Sequence, residues 1–278
     1  MSYRTLLVHL DTTPRCAVRI GLAASLALAH AARVVGLSPT GMVHTRSPLY
    51  GYAPAGFAAE AALTLRTRAE GIASRFADEA RRLGVGAAEA RVDESDPIEA
   101  LMRHARYADL VIVGQTDPDS PSDDVPANFA QEVVVNAGRP VLLVPYAGTY
   151  PSVGRRVVAA WDGSREAARA FSDALPILSR AHKVHVLVFN SHHRAGQHGD
   201  LPGADIGGWL ARHGVPVEVT HDRVDIDVAA AMLSRAADLS ADLIVMGGYG
   251  HSRFRESILG GVTRSMFEQM TVPVLMSH

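Results

Sequence analysis

Two periodicities alternate along this chain. Short runs that are apolar at every position, VVAAW, VHVLVF and DLIVM in the second half, predict strands covered on both faces, since a strand with one wet face would alternate apolar and polar residues. In that half the strands fall at Arg156–Trp161, Val184–Phe189, Val215–Thr220, Asp242–Met246 and Pro273–Met276. Helical spacing predicts helices between them, over Ser164–Ala181, Ala204–His213, Val228–Leu239 and Val262–Met270. Strands alternating with helices in this way build a parallel sheet with helices on both faces.

The pattern is written twice. Ala108–Gly114 reads ADLVIVG and Ala241–Gly247 reads ADLIVMG, and the register persists to the end of each half, where Pro140 falls on Pro273. Near the start of each half, LLVHLDTTPRCAVRIGLA resembles VVAAWDGSREAARAFSDA, with Asp11 on Asp162. Matched positions are 151 residues apart at Asp11 and 133 apart at Ala108, so the first half carries a longer middle. The Gly-, Pro- and Tyr-rich segment Met42–Phe57 reads as an inserted loop holding the excess. Two domains are expected, residues 1–148 and 154–278, separated by GTYPSVG. Each is a Rossmann-like α/β domain of the flavodoxin or HUP type with a five-stranded parallel sheet.

Composition narrows the partners. With 47% hydrophobic and 20% charged residues the chain is too apolar for disorder, and a net charge of −2 gives no field to hold a nucleic acid. The longest apolar stretch, Ile20–Ala32, is broken by Ser25 and His30 and is short of a membrane span. The N-terminus runs into a strand without a basic leader, and the single cysteine, Cys16, can form no intrachain disulfide; a cytoplasmic protein is expected.

In an open parallel sheet, ligands bind beyond the carboxyl ends of the strands where strand order reverses. There the fourth strand of the second half runs into VMGGYGHSRFRESILGGVTRSM. Gly247 and Gly250 lie where the backbone turns, and Gly260 and Gly261 precede a helix whose free amides point at an anion. This describes a phosphate cradle, although neither the GxxxxGK[ST] loop nor the GxGxxG fingerprint is present, the last position of the latter being Arg253.

Gly247, two residues, Gly250, nine residues, Gly260 is a spacing that resembles the universal stress protein family. The resemblance covers both halves, so the chain looks like a tandem member. It implies that the glycines and the following hydroxyl residue wrap the ribose and phosphates of ATP, ADP or AMP, with or without Mg²⁺, while an Asp closing the first strand and a residue near the end of the second meet the adenine. By position these are Asp162 with Ala160 beside it, and Phe189; Met246, Gly247, Gly250, Gly260, Gly261, Val262 and Thr263 complete the match. Gly261 stands where the family has Ser or Thr. The lost hydroxyl bond to a charged phosphate is worth about 1.5–3 kcal/mol, roughly tenfold or more in affinity, unless Thr263 substitutes.

The first half departs further. Gly114 is kept, but Asp117, Ala127 and Asn128 replace the other motif residues, and Asp117, Asp119, Asp123 and Asp124 would repel a triphosphate, so no nucleotide is expected there. Arg253, Arg255 and Arg264 flank the second-half motif as candidate counter-charges, against the alternative of solvated surface. His192, His193 and His198 read as a surface loop rather than a metal site, and Cys16 as a buried structural thiol. With no GxSxG, HExxH or CxxC, no catalytic residue is assigned.

The last strands of the halves, Pro140–Pro145 and Pro273–His278, would expose unpaired backbone at a sheet edge. Family resemblance implies that they pair, docking the halves as an internal pseudo-dimer; Tyr50, Tyr52 and Phe57 of the insert offer area for a homodimer. The expected function is a stress-response sensor or regulator that binds adenine nucleotide in the second half. A nucleotide-free scaffold and a slow ATPase are the alternatives.

Overall fold

The computed structural model describes residues 2–41, 57–120, 122, 125–190, 203–249 and 261–278. The insert of residues 42–56, the histidine loop, Gly250, Arg253, Arg255 and Gly260 lie outside these described residues. The chain divides into two compact units, Tyr3–Arg139 and Pro140–His278.

The first unit runs β1 (Thr5–His9), α1 (Arg15–His30), β2 (Arg33–Pro39), α2 (Phe57–Arg82), β3 (Ala88–Asp93), α3 (Pro97–Ala105), β4 (Leu110–Gly114), α4 (Phe129–Asn136). Its strands lie in the order β3-β2-β1-β4, all parallel, with Leu7 of β1 opposite both Val35 and Val111. Helix α1 packs with α2 and α3 with α4, and the central strand residues Leu6, Leu7 and Val8 are at most 1% exposed, as unbroken apolar runs require. The extra length of the first half is partly helical, since α2 has 26 residues where its counterpart in the second unit has 9.

The second unit contains β5 (Val141–Val144), β6 (Arg156–Ala160), α5 (Arg165–Leu178), β7 (Lys183–Phe189), α6 (Ala204–Arg212), β8 (Val217–Asp222), α7 (Val228–Asp238), β9 (Leu243–Gly247), α8 (Gly261–Gln269) and β10 (Val274–Ser277). Strand order is β5-β10-β9-β6-β7-β8, parallel except for β5. The strand that closes the first sequence repeat thus falls in the second compact unit. There it runs antiparallel to β10, with Leu142 opposite Leu275, and all four of its residues are buried. β10 is thus flanked by β5 on one side and β9 on the other.

The repeated ADL motif has a structural reason. Asp109 accepts hydrogen bonds from the amides of Arg4 and Thr5 at 2.7 and 2.9 Å, and Asp242 from those of Arg155 and Arg156 at 3.2 and 3.0 Å. Each aspartate therefore ties the start of the first strand of its sequence repeat, β1 or β6, to the start of the fourth, β4 or β9. The third helices are capped alike, Asp96 by the amides of Ile98 and Glu99 and Asp227 by those of Ala229 and Ala230. Among the described residues no helix is long and apolar enough to cross a membrane.

The first core is tightest at Gly36 in β2, where an added Cβ would stand 2.7 Å from the ring of buried Phe76. Gly36→Ala is expected to lower urea-unfolding stability by about 1–3 kcal/mol. Gly21→Ala, in open space on α1, should be neutral or raise it by about 0.5–1 kcal/mol.

Candidate functional site

The carboxyl ends of β6 and β9 are neighbours in the second sheet, with Ala159 opposite Val245, and the described members of the sequence-predicted set lie at strand ends or in the first turn of α8. Ala160 closes β6 and Asp162 follows two residues on. Phe189 closes the adjacent strand β7, Gly247 closes β9, and Gly261, Val262 and Thr263 form the first turn of α8. Met246 is 4% exposed, so its side chain belongs to the core.

Asp162 does not itself cap α5. Its Oδ1 accepts from the amide and the hydroxyl of Ser164 at 3.0 and 2.6 Å, and Ser164, the true N-cap, accepts from the Ala167 amide at 3.1 Å. Asp11 makes the same turn with Thr13, again at 3.0 and 2.6 Å. A hydroxyl residue two places after the aspartate, in DTT and in DGS, is the sequence signal for it.

Gly247 is required by packing. A Cβ there would meet the Ala167 nitrogen at 2.6 Å and the Glu166 carbonyl carbon at 2.7 Å, so β9 ends in direct contact with the first turn of α5. The chain beyond it is held at several points. The Gly248 amide donates to the Ser277 carbonyl at 2.9 Å, the His278 Nδ1 lies 3.1 Å from the Gly248 carbonyl, and the Tyr249 amide donates to the Thr263 Oγ1 at 3.3 Å. Tyr249 adopts a left-handed φ of 63° and its ring stands edge-on to His278. Thr263 is 5% exposed, and its oxygen closes this loop. Arg264 pairs with Glu268 at 2.8 Å on the exposed side of α8.

Sequence reading missed Glu166, a polar residue in the first turn of α5 that is only 5% exposed. Burial opposes its ionisation, and the Arg165 guanidinium at 2.5 Å outweighs that, with help from its own backbone amide and the field of His278; the carboxyl titrates below the ordinary glutamate range.

The equivalent crevice of the first unit contains three large side chains. Where the second unit has Ala160, Ala170 and Val262, the first has His9, Arg19 and Phe129. The His9 and Phe129 rings pack at 4.7 Å. Arg19, 2% exposed, places Nη2 2.6 Å from Asp11 Oδ2, donates through Nε to the His9 carbonyl at 3.2 Å, and puts Nη1 2.7 Å from where a Gly114 Cβ would stand. Burial raises the Asp11 pKa, but Arg19, His9 and the Thr13 hydroxyl more than reverse this, and the net shift is downward. Burial also pushes the Cys16 thiol up, the opposite of an activated nucleophile. Among the described residues no group of three or more His, Cys, Asp or Glu is placed to hold a metal.

Residues 154–278 match the family model described as the universal stress protein family. That match lies wholly within the second unit. Over its whole length the fold is similar to that of a universal stress protein from Archaeoglobus fulgidus DSM 4304, at 16% identity, with 98% of this chain and 95% of the other covered and a TM-score of 0.76. It is also similar to a functionally unknown protein from Pseudomonas aeruginosa PAO1, at 15% identity, 99% and 92% coverage and a TM-score of 0.61. A universal stress protein from Archaeoglobus fulgidus solved in complex with dAMP is 16% identical over 51% of this chain and 98% of its own, with a TM-score of 0.38. No curated protein matches the chain.

Two outcomes follow from these contacts. Without ligand, Gly247→Ala should destabilise the second unit by about 1–3 kcal/mol in thermal unfolding because the atoms it meets are mainly helix backbone, whereas Gly261→Ala, with open space around it, should not. Arg19→Ala should cost about 3–5 kcal/mol at neutral pH by taking the guanidinium away from the buried Asp11 carboxylate. Because the Asp11 pKa is depressed in the fold, its contribution is present above the unfolded carboxylate range and is lost as pH falls through the folded value. The Arg19→Ala deficit measured by denaturation should therefore shrink in acid.

Proposed function

We propose that the universal stress domain of the second unit binds an adenine nucleotide and acts as a sensor or regulator, and that the first unit binds none. The contrast between the two crevices carries this reading. The same strand ends and the same aspartate turn frame both, yet His9, Arg19 and Phe129 crowd the first, where the second has the smaller Ala160, Ala170 and Val262 at the matching positions. The first turn of α8 and the glycine at the end of β9 are the backbone that would face such a ligand's phosphates. Mg²⁺ would accompany a di- or triphosphate. Occupancy would bias whichever conformations of the Gly247–Gly261 segment contact the ligand differently, which is how binding becomes a signal.

One observation favours a nucleotide-free scaffold as the second reading: Gly247 and Thr263 each have a structural duty without any ligand. Binding experiments separate the two. Heat-denatured protein is expected to release an adenine nucleotide, or the stripped protein to be stabilised by one. A saturating ligand at a hundred times its Kd adds about 2.7 kcal/mol, a shift of roughly 5 °C or more. Ala170→Arg, which copies Arg19 into the second unit, is expected to abolish that shift while the ligand-free protein still melts cooperatively. Absence of both released nucleotide and ligand-induced stabilisation in the wild type would refute the reading.

A further inference from the structure

The first unit holds a cavity apart from its crowded crevice. It lies in the groove between α1 and α2 and has a volume of about 460 Å³, within the range of roughly 300–1,000 Å³ usual for small-molecule sites. None of His9, Arg19, Gly114 and Phe129 lines it. Its apolar walls are Cys16 and Ile20 of α1 and Ile72 and Phe76 of α2. The second unit is bulkier at matching positions: Trp161 and Phe171, with ring centroids 5.2 Å apart, stand where the first unit has Leu10 and Ile20.

The charges around this cavity are closed into pairs, with one exception. Asp11 pairs with Arg19 at 2.6 Å, Asp78 with Arg81 at 2.9 Å, and Glu79 with Arg82 through two bonds of 2.6 and 2.8 Å. Arg75, exposed on α2 and lining the cavity, forms no ion pair or hydrogen bond among the described residues. The lining residues and their partners therefore carry one uncompensated positive charge. Helix α1 adds to it. It starts beside the cavity at Pro14, with no side-chain cap and no acidic residue in its first turn to offset the positive end of the dipole.

We propose that this groove binds a small carboxylate with an apolar body, of the aryl- or alkylcarboxylate class. The apolar part is withdrawn from water against Ile20, Ile72 and Phe76, and the single negative charge is offset by the one lining cation without a partner. A cation or a dianion is disfavoured, because each would have to compete for groups already paired. The site stands apart from the nucleotide reading, since it involves neither the second unit nor its glycine segment.

The test is calorimetric titration of the full chain with phenylacetate and hexanoate, each compared with its alcohol, phenethyl alcohol or hexanol. Cys16 is the chain's single cysteine and lines the groove, so its rate of alkylation by iodoacetamide reports occupancy at this place. At least one carboxylate should bind saturably and slow that alkylation in proportion to occupancy. At low salt it should bind about three- to fivefold tighter than its alcohol, the scale of one exposed ion pair, and Arg75→Gln should remove that margin. Ala17→Trp, which sets an indole into the groove from an exposed position, should abolish both binding and protection. Ile20→Phe, which copies Phe171, should weaken them, and melting curves without ligand establish that both variants are folded. Absence of saturable binding by either carboxylate, or binding that leaves Cys16 alkylation unchanged, would overturn the proposal. So would an alcohol bound as tightly as its carboxylate, a margin that survives Arg75→Gln, or binding unaltered in the folded groove variants.

Discussion

The arrangement of the second unit's crevice depends on how closely a strand end can approach a helix. With no side chain at Gly247, β9 runs up to the backbone of α5 at its first turn, and that contact fixes where the chain leaves the sheet. Two further ties then set the course of Gly248 and Tyr249, one to the last strand through Ser277 and one to α8 through Thr263. The same approach brings Glu166 beside the exit. A packing requirement and an electrostatic feature therefore share one cause: the residue that β9 must press against carries a buried charge.

The first unit shows what happens when this framework is kept and the crevice is filled. Asp11 holds the turn into α1 with the geometry of Asp162, and Gly114 ends β4 as Gly247 ends β9. Arg19 then reaches across from α1 and occupies the space against Gly114. A guanidinium that contacts a carboxylate and a main-chain carbonyl and is 98% removed from solvent has a large desolvation cost, offset only while all partners are in place. Such an arrangement holds one conformation and is costly to break.

Much of this was legible in the sequence, and the parts that were not share a character. The repeat, the strands from β6 to β10 and the placement of Ala160, Asp162, Phe189 and Gly247 at strand ends follow from apolar runs, whose period is imposed by the backbone itself. Glu166 was invisible because a glutamate in a helix's first turn is ordinarily a solvated residue favoured by the helix dipole; its burial is a product of the Gly247 contact, which no local pattern encodes. Strand β5 reads like any closing strand, and its antiparallel partner, Val274–Met276, lies about half the chain away. The length of α2 was hidden because the proline- and glycine-rich stretch before it suggested a loop for the whole excess.

Comparison of Arg19 with the proposed nucleotide gives the two units different thermodynamic characters. A side chain is present at fixed effective concentration and saturates its own site, so what Arg19 contributes to the first unit does not vary with metabolite levels. A ligand contributes in proportion to the logarithm of its concentration, so nucleotide bound in the second unit as proposed would make that unit's stability a function of supply. On that proposal the chain has one responsive half and one constant half. The residues that distinguish the two crevices, 9, 19 and 129 in one and 160, 170 and 262 in the other, lie outside the glycine motif except Val262. Degeneration of the glycines in the first half can therefore be a consequence of the filled crevice: once Arg19 occupies the space and pairs with Asp11, nothing selects for a backbone free to approach a phosphate.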